Sequence, residues 1–510
     1  MRSVIVGLDV GTTATKAVAF GVDGPWSRMA LREYPLMTPR PGWRVQDPDV
    51  IVAAALDALA EVVVDTDVVG ISLSTAMHGL IGLDADLTPK TPLLTWADGR
   101  SSAEANSLRT SGAAAVLYEI TGVPTHPMTP LTKLMWFGRE AAEMALWVGL
   151  KDYVVLRLTG QLVTELSSAS GTGLLDRHRL RWSRTALEIA GISGAQLPEI
   201  RATTDQLPLA KDVASLVGLA AGVPVVLGAA DGPLGNVGTG ALQPGIVGLS
   251  LGTSGAARMV VPQSTIDAQG RLFCYALTDD LWVVGGAVST GGSVVRWARR
   301  ALGVDSDEEL LQLAAQAPPA SEGLVMLPYL GAERAPLWNP DLPGAYLGLH
   351  SGHGREHMSR AALEGVAIQL GAVVASLGRV ADVREVRATG GAFRSPLWRE
   401  IVAGVLGMPL SVQDGAEGTA RGAAALGLFG LGMSQDLEAA LAVLQSQGVE
   451  PATEPVHVAA YQAVRERIPA LIAAYDDVAN LFGALACRLA CIAAVAGSKH
   501  ASLRRMSHQE

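Results

Sequence analysis

Two short strings combine glycine with hydroxyl side chains, as phosphate-binding turns do. The first, Asp9 to Lys16, reads DVGTTATK, and the second, Leu251 to Gly255, reads LGTSG. Backbone N–H groups and hydroxyls in such turns can hold a phosphate, and a carboxylate beside them can hold a hydrated magnesium ion. One such string alone is more typical of a simple hairpin turn. Its recurrence favours two turns that hold the phosphates of a nucleotide from opposite walls of a cleft.

An aspartate follows a further apolar run. Residues 223–230, VPVVLGAA, are typical of a buried strand that places Asp231 at its carboxyl end, before a Gly-Pro-Leu-Gly sequence that opens a helix. Ligands of open α/β sheets bind at the carboxyl ends of strands. A carboxylate there can accept the proton of a hydroxyl that attacks phosphorus. From the local sequence alone, an N-cap for the following helix is the better interpretation of Asp231.

Two glycine-rich segments also follow predicted strands and lead into predicted helices. They are Gly285 to Gly292, GGAVSTGG, and Arg387 to Ser395, RATGGAFRS. Bare backbone of this kind can pass under a flat ring or face a phosphate, although each segment alone indicates only a turn between a strand and a helix. The sequence has no GxxxxGK[ST] string, so a nucleotide is not held by a Walker P-loop.

Other motifs are less convincing. Gly248 to Gly252 fits GxSxG, which would make Ser250 the nucleophile of an α/β hydrolase, but that motif requires a strand that runs into a helix. Here residues 256–261 are predicted as a returning strand. A histidine cluster lacks the HExxH spacing of zinc sites and is interpreted as a structural or surface feature. Its members are His350, His353 and His357.

The elements around these motifs predict two related α/β halves. Each glycine turn joins two predicted strands, and the turns lie about half a chain length apart, which places a boundary near Gln243 to Gly245. Helices and strands alternate elsewhere, as in sheets that are covered by helices. The predicted helices are Asp49–Val64, Ala103–Tyr118, Asp305–Ser321, Ser359–Ala381 and Pro396–Leu406, and further predicted strands are Val68–Ser74 and Val383–Ala388.

Composition limits the function. The 510 residues are 49% hydrophobic and carry a formal charge of −10, with no basic run, so neither nucleic acid nor an anionic membrane is expected as a partner. Three cysteines cannot form a disulfide framework, which indicates a reducing cytoplasm. The N-terminal apolar stretch VIVGL is shorter than a signal-peptide core of ~7–15 residues. Residues 481–497 are apolar but contain Arg488, which favours a packed terminal helix over a membrane span.

Two longer stretches resemble a known family. Residues 128–140, MTPLTKLMWFGRE, and residues 344–364, which begin GAYLGL and end HMSRAALE, are similar to the two signatures of the FGGY carbohydrate kinases. The resemblance covers residues 1 to 475 and implies an α/β fold of two ribonuclease H-like, actin-type ATPase domains with a cleft between them. We expect domains at 1–244 and 245–479, followed by an atypical tail at 480–510.

The resemblance also implies roles for individual residues. ATP and Mg²⁺ would be the cofactors, with Asp231 as the catalytic base and a metal contact, and Asp9 as a second metal contact through water. The nucleotide-binding residues implied are Gly11, Thr12, Thr13, Lys16, Gly252, Thr253 and Ser254 at the phosphates and Gly292, Gly390, Gly391 and Ser395 around the adenosine. The residues implied for the sugar site are Met77, His78, Trp96, Asp98, Arg100, Met128, Asp231, Glu333 and Arg334.

The same likeness suggests the acceptor. Strings such as GVPTHPM, GLKDY and PYLGAERAPLW are most similar to those of gluconate kinases, while xylulokinases share several of them. A sugar acid needs a cation for its carboxylate, and the candidates are Arg100 and Arg334. We therefore expect phosphorylation of gluconate to 6-phosphogluconate. The alternatives are a kinase of xylulose or another pentulose or polyol and, more distantly, an actin-like ATPase that acts as a binding module. Family likeness alone points to a homodimer.

Overall fold

Two six-stranded sheets with helices around them form the computed structural model, which describes residues 1–140, 144–331, 333–413, 417–444 and 452–475. The predicted tail at 480–510 lies outside the described residues. The described residues thus contain the predicted α/β fold of two domains.

The first half contains fourteen strands and nine α-helices among its described residues. The strands are β1 (Arg2–Val10), β2 (Ala14–Gly21), β3 (Ser27–Glu33), β4 (Val45–Gln46), β5 (Thr66–Thr75), β6 (Ile81–Leu83), β7 (Leu93–Leu94), β8 (Leu146–Val148), β9 (Val163–Glu165), β10 (Leu175–Asp176), β11 (Arg181–Trp182), β12 (Glu199–Arg201), β13 (Gln206–Pro208) and β14 (Pro224–Ala230). The helices are α1 (Pro48–Val62), α2 (Ser102–Thr110), α3 (Ala113–Thr121), α4 (Pro130–Arg139), α5 (Leu150–Thr159), α6 (Leu166–Ser170), α7 (Arg184–Ala190), α8 (Lys211–Val217) and α9 (Asp231–Gly238), with a 3₁₀ turn at Gly194–Gln196.

The second half adds eight strands and seven α-helices in the part that the structure describes. The strands are β15 (Ile246–Leu251), β16 (Gly255–Val261), β17 (Phe273–Ala276), β18 (Trp282–Val288), β19 (Val325–Leu327), β20 (Ala345–Leu347), β21 (Glu385–Thr389) and β22 (Leu410–Val412). The helices are α10 (Ser293–Leu302), α11 (Asp307–Gln316), α12 (Arg355–Leu377), α13 (Pro396–Leu406), α14 (Gly418–Gly430) and α15 (Leu437–Val443), with 3₁₀ turns at Pro319–Gly323 and Gly391–Arg394. Residues 458–475 are also helical.

The two sheets share one strand order. The first runs β3-β2-β1-β5-β14 and adds β13 beyond β14, while the second runs β18-β16-β15-β21-β22 and adds β17 beyond β18. In both sheets the opening hairpin is antiparallel, and the next two strands along the sheet are parallel to its first strand. The prediction of two related halves, each opening with a hairpin, is confirmed by this shared order. It also removes the hydrolase interpretation, because β15 turns back into β16 and not into a helix.

The hairpins form where β-branched and other apolar residues allow a strand to be buried on both faces. Val4, Ile5, Val6, Leu8 and Val10 of β1 are all fully buried. Such runs favour a central strand that is covered on both sides. The strand ends therefore present their turns at one edge of each sheet.

Two predicted helices end differently in the structure. The predicted helix Ala103–Tyr118 is divided into α2 and α3, because Gly112 adopts a left-handed φ of 81° between them. The predicted helix Asp305–Ser321 stops at Gln316, where Ala317 becomes extended ahead of two prolines. Helix α12 begins four residues earlier than its predicted start.

Helices α9 and α14, which follow the last parallel strand of each half, pack directly against each other. A Cβ atom on Gly238 would lie 1.8 Å from the carbonyl oxygen of Gly418, and one on Gly422 would lie 2.0 Å from that of Leu234. The two helices therefore cross at glycine residues, where the backbone of one helix contacts the backbone of the other. Helix α14 also contacts β1, where a Cβ on Gly7 would meet the carbonyl of Ala420 at 2.0 Å. The predicted boundary at residues 244 and 245 stays a prediction.

Helix α12 is the one described helix that is long and apolar enough to cross a membrane. Of its most apolar window, 89% is buried inside the protein. Its buried residues pack in the core of the second half, against β16, β18 and β19. The helix has the burial of a core helix.

Candidate active site

A cavity of about 540 Å³ lies between the two sheets, at the edge where both hairpins turn. It contains residues of both turns together with Asp231 and most of the predicted sugar-site residues. Its lining includes Thr12, Thr13, Met77, His78, Trp96, Met128, Asp231, Gly232, Ser250, Thr253, Ser254, Ala256, Arg258, Phe273, Tyr275, Ser289, Arg334 and Trp338. The structure thus brings residues from opposite ends of the sequence to one cleft.

Side chains hold the first turn in place. The Tyr34 hydroxyl donates to the carbonyl oxygen of Gly11 at 2.6 Å, and the Gln46 amide donates to the carbonyl of Thr12 at 2.8 Å. The indole of Trp96 donates to the Thr12 hydroxyl oxygen at 3.0 Å. At the base of the hairpin, Asp9 lies opposite Lys16 in the strand register.

Backbone groups hold the second turn. The N–H groups of Gly291 and Ser293 donate to the carbonyl of Thr253, and the N–H of Gly292 donates to the carbonyl of Gly252 at 2.7 Å. A Cβ on Gly291 would lie 2.5 Å from the carbonyl carbon of Ser254, so only glycine permits this approach. The predicted glycine-rich segment before α10 therefore supports the second turn directly.

Asp231 is the first residue of α9, and Ala230 occupies the N-cap position without a side-chain cap bond. Its Oδ1 accepts a hydrogen bond from the N–H of Gly232 at 2.8 Å. Burial raises the pKa of Asp231, and the charge of Arg258 opposes that rise. Asp231 lines the cavity together with the threonines of both turns, and Ala230, not Asp231, occupies the N-cap position.

Asp9 is a second carboxylate at this edge. Burial, and next the nearby charge of Asp231, raise the pKa of Asp9 to about 6, although Ser74 donates to its Oδ1 at 2.8 Å. The two carboxylates are therefore close enough to destabilise each other's charged form. A cation near both would relieve this repulsion.

A buried lysine fixes the strand end that carries Asp231. The ammonium group of Lys151 donates to the carbonyls of Leu73, Leu227 and Ala229 at 2.8 to 3.0 Å. Burial lowers its pKa to about 8, which the nearby carboxylate of Glu165 opposes. Lys151 thus joins the ends of β5 and β14, two residues before Asp231.

Two arginines face the cavity. Arg334, predicted at the sugar site, is 8% exposed, stacks over the Trp96 ring at 4.6 Å and donates to the carbonyl of Val288 at 2.9 Å. Burial lowers its pKa to about 10. Arg258, on β16, was not among the predicted site residues. It is the only charged residue in an otherwise apolar strand, and that local contrast is the signal that could have identified it.

The remaining wall is apolar and aromatic. His78 has a left-handed φ of 64°, and its Nδ1 lies 2.8 Å from the carbonyl oxygen of Gly171. Burial lowers the pKa of His78 to about 3, so its ring is neutral near pH 7. Its Nε2 lies 3.5 Å from the hydroxyl of Tyr275. Phe273 and Tyr275 stack at 4.2 Å, and sequence reasoning missed them because their strand carries no motif. Ser289 and Trp338 also line the cavity; they lie within two strings that the sequence analysis quotes, GGAVSTGG and PYLGAERAPLW, but were not singled out there.

Three predicted substrate residues do not line this cavity: Asp98, Arg100 and Glu333. Arg100 is bonded to Asp98 at 2.7 and 2.9 Å, and its guanidinium lies 3.6 Å from the centroid of the Trp43 ring. Glu333 is fully buried behind Arg334, where the amide of Gln369 donates to it at 2.5 Å. Burial raises its pKa to about 7. Their direct contact with a substrate stays a prediction.

A second cavity, of about 550 Å³, adjoins the second turn. Its lining includes Gly252, Thr253, Gly292, Arg296, Asp307, Gly391, Arg394, Ser395 and Trp398. It therefore contains three of the four residues predicted around the adenosine. Gly390 lies behind this wall with a φ of 119°, where a Cβ would meet the carbonyl oxygen of Leu251 at 2.4 Å.

Comparisons with known proteins agree with this architecture. Residues 4–238 and 247–431 match the N-terminal and C-terminal domains of the FGGY family of carbohydrate kinases. The gluconokinase of Bacillus subtilis (strain 168) is 38% identical over 460 residues, which are 86% of this chain and 90% of that protein.

Two crystal structures from Lactobacillus acidophilus superpose closely. One is a gluconate kinase, with a TM-score of 0.87 and 32% identity over 95% of this chain and 99% of that chain. The other is a ligand-bound xylulose kinase, with a TM-score of 0.87 and 33% identity over 93% of this chain and 100% of that chain.

Proposed function

We propose that this chain, which belongs to the FGGY family of carbohydrate kinases, transfers the γ-phosphoryl group of ATP to the terminal hydroxyl of D-gluconate and releases ADP and 6-phosphogluconate. The observation that carries the reaction is the cavity that contains Asp231 together with both hydroxyl-bearing turns. An acceptor hydroxyl there has a carboxylate beside it and phosphate-binding groups on both sides.

In this reaction Asp231 accepts the proton of the acceptor hydroxyl as its oxygen attacks the γ-phosphorus. A bond forms from that oxygen to phosphorus, and the bond from phosphorus to the bridging oxygen of ADP breaks. Thr12, Thr13, Thr253 and Ser254 donate hydrogen bonds to the phosphates where negative charge develops. The second cavity, which opens from Gly252 and Thr253, is assigned to the adenosine.

Asp9 and Asp231 suit a hydrated Mg²⁺. They form a pair of like charges whose repulsion a cation would relieve, since Asp231 contributes to the raised pKa of Asp9. The described residues contain no group of three or more His, Cys, Asp or Glu side chains that could hold a metal. This agrees with an ion held by one or two carboxylates, water and the nucleotide. Bound there, Mg²⁺ would neutralise phosphate charge.

The choice of gluconate rests on the B. subtilis gluconokinase at 38% identity and on two guanidinium groups at one cavity, Arg258 and Arg334. Guanidinium groups form strong paired hydrogen bonds with carboxylates, as they do with phosphates. D-Xylulose is the second candidate acceptor, because the ligand-bound xylulose kinase has the same TM-score as the gluconate kinase.

A substrate panel tests the acceptor. Purified protein with ATP and Mg²⁺ is assayed for ADP release with gluconate, xylulose, ribulose and glycerol. We expect the highest kcat/KM with gluconate. A preference for xylulose would overturn gluconate and retain the kinase, while ADP release that no acceptor stimulates would overturn the kinase.

Asp231→Asn tests the role of the base. Loss of a general base costs about 10²- to 10⁴-fold in rate, so we expect kcat to fall by that factor. ATP affinity, measured by calorimetry without Mg²⁺, should change little because the nucleotide itself is assigned to the two turns and the second cavity. Glu199→Gln, at an exposed position, is the control. Near-normal turnover of the Asp231 variant would contradict the assignment.

A further inference from the structure

Arg258 is placed on the wall of the cavity by β16. This strand leaves the second turn at Gly255 and ends at Val261, and its other residues are apolar. Arg258 lies opposite Gly285 of β18, which in turn lies opposite Phe273 of β17. Cross-strand partners project to the same face of a sheet. Arg258 and Phe273 therefore share the face that lines the cleft, and both line the cavity.

The Arg258 guanidinium has donors that the protein does not satisfy. Its Nη1 reaches the Ser250 hydroxyl only at 3.4 Å, and its buried Nε has no hydrogen-bond partner among the described residues. Arg334, by contrast, donates to Val288 and to Ser289. A buried cation with an unused N–H is costly unless an acceptor completes it. An anionic acceptor in the cavity would supply what is missing.

The Arg258 side chain fits into its position because the residues on either side of it, Gly285 and Gly232, have no side chain. A Cβ atom on Gly285 would lie 2.9 Å from Cγ of Arg258 and 2.5 Å from the carbonyl oxygen of Ala257. On the other side, a Cβ on Gly232 would lie 3.3 Å from both Nε and Nη2 of Arg258. Glycines from the two halves therefore flank the arginine, and its guanidinium sits between the sheets.

The position along β16 sets the distance from the reacting end. Arg258 is three residues beyond Gly255, which corresponds to about 10 Å along a strand. The phosphoryl group is transferred at the turn, beside Thr253 and Ser254. That spacing is one of backbone positions, and the guanidinium lies beside Gly232, next to Asp231. A six-carbon chain that presents its terminal hydroxyl at the turn and lies along β16 would pass the Arg258 side chain.

We infer that Arg258 binds the carboxylate of a sugar acid and so selects aldonates over neutral sugars of similar length. This inference rests on the proposed function, since it assigns one end of the same acceptor. Arg334 lines the same cavity, so two guanidinium groups are available to an anionic group of the acceptor. The charges of Arg258 and Arg334 both act on Asp231, so a purely electrostatic role of Arg258 on the base must be separated from carboxylate binding.

A charge-matched experiment makes that separation. The purified wild-type protein and Arg258→Met are assayed with ATP on D-gluconate and on D-gluconamide, which lacks the acceptor's charge. Hydrogen bonds to charged groups contribute about 1.5–3 kcal/mol, or roughly 10- to 150-fold. We expect kcat/KM for gluconate to fall by that factor in the variant, with a much smaller change for gluconamide. The ratio of kcat/KM for gluconate to kcat/KM for gluconamide should therefore be much lower in Arg258→Met than in the wild type.

Two further variants make the result interpretable. Arg258→Lys keeps the charge with fewer donors and should retain part of the preference, which also covers the case in which Arg258→Met does not fold. Arg184→Met removes an arginine whose side chain is 92% exposed and should leave the ratio unchanged.

Each remaining outcome overturns one statement. Equal losses on gluconate and gluconamide would show that Arg258 acts on Asp231 and not on the carboxylate, and an unchanged ratio would exclude any part in selecting the acid. Both would leave the gluconate kinase in place. Wild-type protein that phosphorylates xylulose and not gluconate would overturn the proposed function, and the carboxylate contact with it.

Discussion

The two hairpins occupy equivalent places in sheets of the same strand order, yet they are built differently. In the first, Asp9 lies two residues before Gly11, and in the second, Ser250 lies two residues before Gly252. Side chains of Tyr34 and Trp96 hold the first turn, whereas backbone N–H groups hold the second. The two turns therefore occupy equivalent places, but the first has a carboxylate and aromatic side chains beside it, whereas the second packs against glycine backbone.

This difference suggests a division of tasks between the halves. The first half contributes Asp9 and Asp231, the carboxylates to which we assign the cation and the proton. The second half contributes glycine-rich backbone to the cavity that we assign to the nucleotide and two guanidinium groups, Arg258 and Arg334, to the acceptor cavity. Two halves with the same strand order can thus differ in function: one carries the carboxylates, and the other carries the groups that bind anions.

The largest expected effect comes from Asp9→Ser, which replaces the aspartate of the first hairpin by the serine that stands at the equivalent position, 250, of the second. We expect Asp9→Ser to lower kcat/KM by about 10²- to 10³-fold, the effect of removing one electrostatic group from a phosphoryl-transfer site. Ser250→Ala, the matched change in the other hairpin, should cost less than about 10-fold. Steady-state kinetics at saturating Mg²⁺ measure both. Similar losses in the two variants would contradict the division of tasks.

The crossing of α9 and α14 joins helices that hold equivalent places in the two halves, and it is the next most sensitive point. We expect Gly422→Ala to destabilise the protein by about 1–3 kcal/mol or more, because its Cβ would overlap the carbonyl oxygen of Leu234. A lower midpoint of urea unfolding measures this effect. Since Asp231 begins α9, activity should fall as well.

A matched glycine on the same interface provides the control. A Cβ on Gly235 of α9 would meet nothing nearer than the Thr419 hydroxyl, at 3.6 Å. Gly235→Ala should therefore unfold at or above the wild-type urea concentration, since alanine favours a helix. Destabilisation of this variant to the extent of Gly422→Ala would show that the close crossing is not the cause.

Much of this comparison could be predicted from local signals. Glycine-hydroxyl turns between apolar runs identified both hairpins, and the strand before Asp231 was recognised from its β-branched residues. Arg258 and Tyr275 could not be placed in this way, because the face that a strand turns to the cleft depends on the other half. Asp98 and Arg100 were assigned to the sugar site from the family resemblance. The structure pairs them with each other beside Trp43, outside the lining of the cavity, and their contact with a substrate stays a prediction.

The ionised carboxylate of Asp9 should lower the free energy of unfolding, an effect with no counterpart at Ser250 in the second hairpin. The pKa of Asp9 is raised from 3.8 to about 6 on folding, so the folded state binds this proton more tightly than the unfolded state. Its contribution to stability is complete below pH 3.8 and is lost as pH rises through 6. We expect Asp9→Asn to melt above the wild type at pH 8, with a difference that shrinks towards pH 4.

Differential scanning calorimetry of both proteins from pH 4 to pH 8, without nucleotide or Mg²⁺, measures the difference in Tm. Asp67→Asn, which removes an exposed carboxylate at the far end of the same sheet, is the control and should show no such trend. A constant difference between wild type and Asp9→Asn would mean that burial and the charge of Asp231 do not raise the pKa of this carboxylate in the folded state.

The smallest expected effect distinguishes a turn held by side chains from one held by backbone. Tyr34→Phe removes the hydrogen bond to Gly11 and should raise KM for ATP by about 3- to 10-fold, the range of one neutral hydrogen bond of 0.5–1.5 kcal/mol. Tyr346→Phe removes a similar bond, to the carbonyl of Met358, away from both hairpins and should leave KM unchanged. Because the bonds to the second turn come from backbone N–H groups in the part of the chain that the structure describes, we expect no single side-chain deletion to loosen it. An unchanged KM in Tyr34→Phe would indicate that the tight Gly-Thr-Thr bend keeps its shape without side-chain support, as the second turn does.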